Sequence, residues 1–257
     1  MRKVKLGETG ITVSMLAIGT GTNGWGGESD QTRRGFNWLV ELFKVGYELG
    51  VTFWDLADQY GTHPHAREAL KGIDRSEIVI TTKTTARDYG KARSDVERFL
   101  RELGTDYLDI VLLHAISSPK WNVDRRGAMD ALAEAKGKGL IRAVGISCHS
   151  LSALEKAADE PWLDVILVRL NRAGVNMDGS PDRVIPILHR AARNGKGIYA
   201  MKVLGCGPLT GDPERAIRFV MDLGCVHAMT IGHTEHEQLR RNVEIIEKIE
   251  SEVKPAP

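Results

Sequence analysis

The sequence predicts a single (β/α)8 barrel preceded by a small β-hairpin, and three observations lead to this fold class. Helical segments and short apolar strands alternate along the chain, which is typical of parallel sheets. Eight such strands can be counted in the 257 residues, with no linker or change of composition between them. This length suits one closed α/β barrel. We therefore expect residues 1–257 to form one barrel domain rather than a two-domain doubly wound protein.

The predicted elements begin with a hairpin, in which residues 4–6 and 11–13 flank Glu8-Thr9-Gly10. The barrel strands are expected at residues 14–18, 51–55, 78–82, 107–113, 140–147, 163–170, 198–203 and 226–231. Five helices stop at glycine, a residue that accepts the left-handed conformation of a helix end; these are Gly50, Gly104, Gly139, Gly195 and Gly224. The last helix is expected to start at Thr234, where Thr234-Glu235-His236-Glu237 matches a capping box.

Composition and charge favour a soluble, cytoplasmic protein. A net charge of +1 gives no reason to expect nucleic acid or an acidic membrane as a partner. Cys148, Cys206 and Cys225 are too few and too scattered for a disulfide framework, which suits a reducing compartment. The sequence contains neither a signal-peptide pattern nor the roughly 18 consecutive apolar residues of a membrane span. It also gives no sign of an obligate protein partner.

Ionisable side chains stand at the ends of three successive predicted strands. Asp55 ends one strand and is followed by Tyr60 in the turn, Lys83 ends the next, and His114 ends the third. The carboxyl ends of parallel strands meet at the edge where α/β barrels place their active sites. Each residue alone has a structural explanation as a cap, a packed aromatic, a surface lysine or a core histidine. The four together predict one pocket.

The predicted pocket suits the protonation of an oxygen. A tyrosine, with its ordinary pKa near 10, is a weak acid at neutral pH, and an ammonium near its hydroxyl favours the phenolate and lowers that pKa. Asp55 would hold Lys83 by an ion pair, and His114 would help to position a carbonyl oxygen. Reduction of a carbonyl by hydride needs such an acid, and the hydride must come from a cofactor.

At these positions the sequence resembles the aldo-keto reductases, whose members carry an Asp, Tyr, Lys and His tetrad at matching strand ends. The likeness continues through Gly19-Thr20-Gly21, residues 143–147 and residues 231–242. The resemblance implies a (β/α)8 barrel that binds extended NADPH or NADH without a Rossmann domain. It also implies that Tyr60 is the general acid in the reduction of small aldehydes or ketones.

The cofactor residues match the family pattern only in part. By resemblance Ser147 contacts the nicotinamide amide, while the usual asparagine and glutamine appear as Cys148 and Leu167. Met201 replaces the tyrosine that stacks on the nicotinamide, and a thioether can still cover an aromatic face. Lys202 stands where a serine is common and is expected to meet the pyrophosphate or to lie on the surface. The following loop residues Leu204 and Gly205 are expected to belong to the same cofactor site.

The adenosine end is expected where the last helix begins, since free N–H groups there attract a phosphate. Glu237 and Asn242 match the family pattern for holding adenine, whereas the arginine and lysine that commonly grip a 2′-phosphate appear as Gln238 and Gly232. The candidates for replacing them are His233, Arg240 and Arg241. Glu235 would instead favour an unphosphorylated ribose. We expect NADPH from the family pattern, with NADH possible.

The substrate pocket is expected between loops at the same end of the barrel. Trp25 and Trp121 are candidates for an apolar wall, with a core position as the alternative for Trp121. The loop at residues 205–211 is short, and we expect no long C-terminal loop after Asn242. An open site and a broad choice of carbonyl substrates are therefore expected.

Three alternative interpretations compete with this one. Gly19-x-Gly21-x-x-Gly24 matches a Rossmann fingerprint, but residues 25–30 form a loop where a Rossmann turn would open directly into its helix. A metal-dependent hydrolase would use His63-Pro64-His65 with His114 or His149, although such barrels place their His-x-His pair on the first strand. A cofactor-binding sensor or regulatory subunit of the same fold would be recognised by a lost tetrad residue, and all four are present.

Overall fold

A computed structural model describes residues 1–252, which form a hairpin and a closed barrel of eight parallel strands surrounded by helices. The hairpin pairs β1 (Lys3–Lys5) with β2 (Thr12–Ser14) in antiparallel register. The barrel strands are β3 (Leu16–Gly19), β4 (Phe53–Asp55), β5 (Val79–Thr84), β6 (Leu108–Ile116), β7 (Ile141–Cys148), β8 (Val165–Arg169), β9 (Gly197–Met201) and β10 (Ala228–Gly232). They follow one another around the barrel in chain order, and β10 pairs with β3 to close it. The predicted fold class is confirmed.

Helices cover the outside of the barrel. The first two, α1 (Asp30–Arg33) and α2 (Phe36–Glu48), follow β3, and α3 (His63–Ala69) follows β4. The remaining helices are α4 (Tyr89–Leu103), α5 (Trp121–Asp124), α6 (Arg126–Gly137), α7 (Leu151–Ala158), α8 (Pro181–Arg193), α9 (Pro213–Met221) and α10 (His236–Glu252). Two short 3-10 helices occupy Asp58–Tyr60 and Arg75–Glu77. None of the helices within residues 1–252 combines the length and apolar character needed to cross a membrane.

Alternation along each strand divides the apolar side chains into two layers, since successive side chains point to opposite faces. One cluster fills the barrel, with Phe53, Ile110, Leu112, Val165 and Tyr199 among its members. The larger cluster lies between the strands and the helices. The same alternation turns Asp55, Lys83 and His114 inward, because each stands an even number of residues after an interior apolar residue of its strand.

The hairpin closes the amino end of the barrel. Leu6, Ile11 and Val13 are fully buried and belong to the interior cluster. The backbone of Gly7 lies against Gly197 at the start of β9, where a Cβ added to Gly7 would be 2.5 Å from the Gly197 nitrogen. With this end filled by apolar side chains, access to the interior is from the carboxyl end.

The last helix begins slightly later than its sequence pattern predicts. α10 starts at His236, two residues after Thr234. The backbone N–H of Thr234 donates to Oε1 of Gln238 over 2.9 Å, so Gln238 supplies the side-chain bond that the capping box assigned to Glu237. The predicted helix is present, but its cap uses a different residue.

Candidate active site

A cavity of about 650 Å³ opens at the carboxyl end of the barrel. It brings together most residues that the sequence assigns to the site, namely Gly19, Gly21, Trp25, Asp55, Tyr60, His114, Leu167, Met201, Lys202, Leu204, His233, Thr234, Gln238, Arg241 and Asn242. Other residues of the wall were not assigned to the cofactor or substrate, among them Thr22, Asn23, His149, Cys206 and Thr230. The predicted residues that do not line it are Thr20, Lys83, Trp121, Ser147, Cys148, Gly205, Glu235, Glu237 and Arg240.

Asp55 and Lys83 form a buried ion pair beneath the cavity. Lys83 is fully buried, and its Nζ donates to Oδ1 of Asp55 and to the backbone carbonyl of Leu56, each over 2.7 Å. Burial is the largest influence and opposes the charge of Lys83, but Asp55 and Tyr60 together outweigh it and raise the pKa of the ammonium. The lysine therefore stays protonated at neutral pH. Its Nζ lies 4.9 Å from the centroid of the Tyr60 ring.

Tyr199, which the sequence analysis did not single out, is a further partner of this pair. Its hydroxyl donates to Oδ1 of Asp55 over 3.1 Å from a fully buried position on β9. Burial raises the pKa of Tyr199 well above its ordinary value, so the phenol remains a donor. The alternation of β9 could have signalled this inward tyrosine, because Met201 two residues later also faces the interior.

Gly21 and Gly24 of the Gly19-x-Gly21-x-x-Gly24 pattern make room for Tyr60. A Cβ built on Gly21 would lie 2.3 Å from the Tyr60 ring, and one on Gly24 would lie 2.6 Å from it. The chain continues through a loop to α1, whose N-cap is Ser29. The pattern that matches a Rossmann fingerprint thus forms a slot for an aromatic ring.

Two polar networks hold the turn that carries Tyr60. Oγ1 of Thr20 donates to the backbone carbonyl of Asp55 over 2.9 Å and also contacts the hydroxyl of Thr62. On the other side, Arg98 of α4 pairs with Asp58 over 2.8 Å. The turn is thereby tied both to β3 and to the helix layer.

The Tyr60 hydroxyl lies 3.2 Å from Nε2 of His114. Burial, the largest influence, raises the pKa of Tyr60, and Lys83 opposes this effect. Lys83 lowers the pKa of Tyr60 as the sequence predicts, but burial has the larger effect. The net pKa of Tyr60 is therefore raised, whereas the sequence predicted that it would be lowered. Burial and the nearby Lys83 lower the pKa of His114 well below its ordinary value, so its imidazole is neutral. At neutral pH the site holds a phenol, an ammonium and an uncharged imidazole.

Beyond His114, the wall of the site is formed by the ends of β7 and β8. Ser147 is buried, and its Oγ lies 3.2 Å from Nε2 of His149. The neighbouring Cys148 points to the helix layer, where its Sγ contacts the carbonyl of Ser150, and burial raises its pKa to about 12. The position of Cys148 does not bring its thiol to the cavity. Leu167 does line the cavity and presents an apolar side chain.

The next part of the wall is formed by Met201 at the end of β9 and by Lys202 and Leu204, which follow it. Lys202 adopts a left-handed backbone conformation with φ of 63°, and its carbonyl accepts a bond from the side chain of Asn171 over 3.1 Å. Gly205 has a φ of 62°, is buried and does not line the cavity. The turn therefore brings the lysine to the rim of the cavity.

The outer end of the cavity is built where β10 leads into α10. His233 is buried, its Nε2 lies 3.0 Å from the side-chain amide of Asn242, and its Nδ1 has no hydrogen-bond partner among the described residues. Burial lowers the pKa of His233 to about 3. Gln31 of α1 donates to the carbonyl of His233 over 3.2 Å, which links the first loop to the last. Arg241 lines the rim.

The other side chains predicted at the adenosine end of the cofactor site have different surroundings. The carboxylate of Glu235 is paired with Arg34 over 2.8 Å. Gln238 lines the cavity while also bonded to Thr234, and Glu237 is exposed outside the cavity lining.

The two tryptophans expected at the substrate pocket have different positions. Trp25 is 58% exposed at the mouth of the cavity, with its ring centroid 5.6 Å from that of His114. Trp121 is 1% exposed and packs near Trp162 in the layer between strands and helices. Trp121 thus takes the core position that the sequence left open as an alternative.

His63 and His65, the His-x-His pair proposed for a metal site, do not converge with His114 or His149. Nδ1 of His63 lies 2.6 Å from Glu102, and Nε2 lies 2.7 Å from the Thr82 hydroxyl. His65 packs against Phe36 with ring centroids 4.6 Å apart. These contacts turn both side chains away from the cavity.

Comparison with curated proteins finds methylglyoxal reductases and aldo-keto reductases. A methylglyoxal reductase of Salmonella typhi is 36% identical over 123 residues, which are 46% of each chain. This chain therefore spans about half the length of that relative in the match. An NADH-specific methylglyoxal reductase of Escherichia coli is 26% identical over 245 residues, covering 84% of this chain and 71% of the relative.

Solved structures share the whole fold. A putative aldo-keto reductase of Pseudomonas aeruginosa superposes with a TM-score of 0.80 at 26% identity, covering 96% of this chain and 95% of that one. The holo form of an aldo-keto reductase of Bacillus halodurans also gives a TM-score of 0.80, with 96% and 91% coverage. At 20% identity, this second likeness is evidence for the fold alone.

A model of the aldo/keto reductase family matches residues 17–251. This range contains the buried Asp55–Lys83 pair, the Tyr60–His114 contact and both ends of the cavity. The chain belongs to the aldo/keto reductase family.

Proposed function

We propose that this protein reduces aldehyde or ketone carbonyls to alcohols with NADPH or NADH, and that Tyr60 is the general acid. The observation that carries this proposal is the Tyr60 hydroxyl at the cavity floor, 3.2 Å from His114 and beside the buried ammonium of Lys83. Membership of the family supports oxidoreductase chemistry, and relatives named as methylglyoxal reductases support a small carbonyl substrate.

The charge arrangement suits proton donation from Tyr60. Because burial raises its pKa, the phenol keeps its proton until a stronger acceptor develops nearby. A carbonyl oxygen becomes such an acceptor as it gains negative charge. The Lys83 ammonium then stabilises the phenolate that remains, and Asp55 keeps the lysine in place. Tyr199 adds a second hydrogen bond to Asp55 and limits its movement.

His114 is suited to directing the Tyr60 proton toward the substrate. Its Nδ1 is buried without a partner among the described residues. An orphaned acceptor is better tolerated in a protein interior than an orphaned N–H group, which favours the tautomer with hydrogen on Nε2. In that form His114 donates toward the phenol oxygen or the substrate carbonyl. The hydroxyl hydrogen of Tyr60 is then free for the substrate.

The cavity has the features needed to hold an extended dinucleotide. The inner end has an apolar surface at Leu167 and Met201, Lys202 offers a cation farther along, and His233 leaves a buried ring nitrogen without a partner at the outer end. The nicotinamide ring, when bound, supplies the hydride. Arg241 at the rim and the pairing of Glu235 with Arg34 support NADPH as the preferred form, since a 2′-phosphate would meet a guanidinium and a neutralised carboxylate.

The proposal is tested by comparing wild type with Tyr60→Phe. Absorbance at the reduced-nicotinamide band would follow turnover of methylglyoxal and a panel of small aldehydes with each cofactor, and protein fluorescence would follow cofactor binding. We expect Tyr60→Phe to lower kcat by roughly 10²- to 10⁴-fold while binding persists, because only the acid is removed. The ratio of kcat/KM values for NADPH and NADH decides the preference.

Two results would contradict the proposal. Cofactor binding by wild type without turnover of any carbonyl would favour a sensing subunit of the same fold. Failure to bind either nucleotide would mean that the substitutions at the nicotinamide and adenosine ends have removed the cofactor site.

A further inference from the structure

A chain of four polar side chains lies on the side of the barrel opposite the Lys83 pair, and one of them, His149, lines the cavity. Asp178, in the loop after β8, accepts a hydrogen bond from one terminal nitrogen of Arg169 over 3.1 Å. The other terminal nitrogen of Arg169 donates to Nδ1 of His149. Nε2 of His149 lies 3.2 Å from Oγ of Ser147. The four residues connect the loop after β8 to the end of β7.

The loop that carries Asp178 is itself held by buried bonds. Asn171 is fully buried, and its side-chain amide donates to the carbonyls of Val175 and Lys202 over 2.7 and 3.1 Å. Its side-chain oxygen accepts from the backbone N–H groups of Ala173 and Val175. The Asp178 side chain is only 6% exposed. The chain therefore starts from an anchored carboxylate.

The chemistry of these groups sets the direction of every bond. A guanidinium can only donate, so Nδ1 of His149 must accept and its hydrogen must reside on Nε2. Burial and Arg169 lower the pKa of His149 to about 4, in agreement with a neutral ring. Nε2 then donates to Oγ of Ser147. This leaves the Ser147 hydroxyl hydrogen without an acceptor among the described residues, in a buried position beside His149 and Leu167, which line the cavity.

We propose that Asp178, Arg169 and His149 are positioning residues that fix Ser147 as a hydrogen-bond donor to the carboxamide oxygen of the nicotinamide ring. The inference rests on the proposed cofactor-dependent function. Ser147 stands beside the tetrad, because β6 pairs Leu113 with Ile146 and these residues immediately precede His114 and Ser147.

The residues next to Ser147 offer no other side-chain donor for the carboxamide oxygen. Cys148 points into the helix layer, and Leu167, paired with Ser147 across β7 and β8, has no polar atom in its side chain. A carboxamide at this wall would therefore meet one polar side chain from these three positions. With its hydroxyl oriented by the chain behind it, Ser147 meets the carboxamide oxygen without first having to reorient.

The test compares the binding of NADPH with that of its thionicotinamide analogue, in which a sulfur, a weak acceptor, replaces the carboxamide oxygen. Dissociation constants would be measured by quenching of tryptophan fluorescence, without any turnover. We expect wild type to bind the analogue about tenfold more weakly, the equivalent of one hydrogen bond. In His149→Phe and Arg169→Met the difference should fall below about threefold, because the hydroxyl is no longer held as a donor.

Matched variants separate positioning from general damage. Arg169→Lys keeps a donor for Nδ1 of His149 and should restore most of the discrimination lost in Arg169→Met. Ser147→Ala should lose discrimination, and adding His149→Phe to it should cause no further loss, since both changes break one chain. His189→Phe, at an exposed position of α8, should behave as wild type.

The inference would be overturned if His149→Phe kept the wild-type ratio of the dissociation constants for the analogue and NADPH. It would also be overturned if Arg169→Lys and Arg169→Met changed that ratio equally. Wild type that binds NADPH and its analogue equally would overturn it too, while leaving the proposed reductase function intact. Wild type that binds neither nucleotide would overturn both proposals.

Discussion

Tyr60 lies in a space that leaves no room for side chains on the residues facing it. Gly21 and Gly24 border its ring, and Gly61, which follows it, has a φ of 66°. The same close packing takes the hydroxyl out of water and raises its pKa, while Lys83 opposes that rise. At the scale of the single residue, the acidity of the Tyr60 phenol is thus set by two opposing effects, its burial and the charge of Lys83.

Substituting Gly21 by alanine should displace the ring of Tyr60. The new methyl group would lie 2.3 Å from ring carbons, which forces the tyrosine or the loop to move. A shift of about 1 Å at a reacting group can cost on the order of 100-fold in rate, and we expect a fall in kcat of this size. Steady-state kinetics and circular dichroism would be compared with Gly137→Ala, where a Cβ meets nothing within 4 Å. Full activity of Gly21→Ala would show that Tyr60 needs no fixed position.

The pKa shifts predict a broad pH range of activity. The pKa of His114 is lowered from 6.5 and that of Tyr60 is raised from 10.0, so neither group changes charge between those values. We expect kcat/KM for carbonyl reduction to be flat from pH 6.5 to pH 10, and to fall above it as Tyr60 loses its proton. A profile measured at constant ionic strength checks this. An acidic limb centred near pH 6.5 would mean that His114 titrates as an ordinary histidine.

At the scale of the elements, Asp109 joins three strands near the amino end of the barrel. This fully buried residue of β6 pairs with Arg75 and with Arg142 of β7, each over 2.7 Å. It also accepts from the backbone N–H of Ile80 in β5 over 3.0 Å. One carboxylate thus fixes β5 and β7 relative to β6, at the end of the strands opposite the cavity.

Replacing Asp109 with alanine should lower stability and leave chemistry intact. The change leaves a buried N–H group and a partly buried guanidinium without their acceptor, and we expect a loss of about 2–3 kcal/mol in the free energy of unfolding. Urea denaturation measures the loss, with Asp106→Ala as an exposed control on the preceding loop. The folded variant should retain its kcat. A loss under about 0.5 kcal/mol would contradict the bridging role.

For the whole molecule, several imidazoles are buried in their neutral form. Burial lowers the pKa of His149 to about 4 and that of His233 to about 3, and lowers that of His114 well below 6.5. In the unfolded chain these groups take up protons as the pH falls below 6.5, whereas the folded protein does not until the pH approaches the lowered values. Acid therefore favours the unfolded state.

We expect the free energy of unfolding to decrease as the pH falls from 6.5 toward 4. Each such histidine contributes at most about 1.4 kcal/mol per pH unit. Urea midpoints at pH 7.5, 6, 5 and 4 would measure the slope. His233→Asn should make it shallower, and the exposed His189→Asn should not change it. Equal slopes in wild type and His233→Asn would show that His233 does not contribute to the loss of stability in acid.

The sequence by itself determined the barrel and the meeting of Asp55, Tyr60, Lys83 and His114 at its carboxyl end. Strand and helix periodicity, helix-ending glycines such as Gly104, and the ionisable residues at strand ends are local patterns, and parallel strands bring their carboxyl ends together whatever the details of packing. It also predicted most of the cavity wall, from Gly19 to Asn242. Alternation along β7 could have indicated that Ser147 faces inward and Cys148 outward.

Only the tertiary structure decided what depends on contacts between distant parts of the chain. Tyr199 reaches Asp55 from 144 positions away, and Gln31 reaches His233 across 202. The burial of Trp121, the net direction of the Tyr60 pKa shift and the link from Asp178 to Ser147 likewise depend on packing. Desolvation and hydrogen bonding act over a few ångströms in space, so residues far apart in the chain determine them jointly, and no local pattern records the outcome.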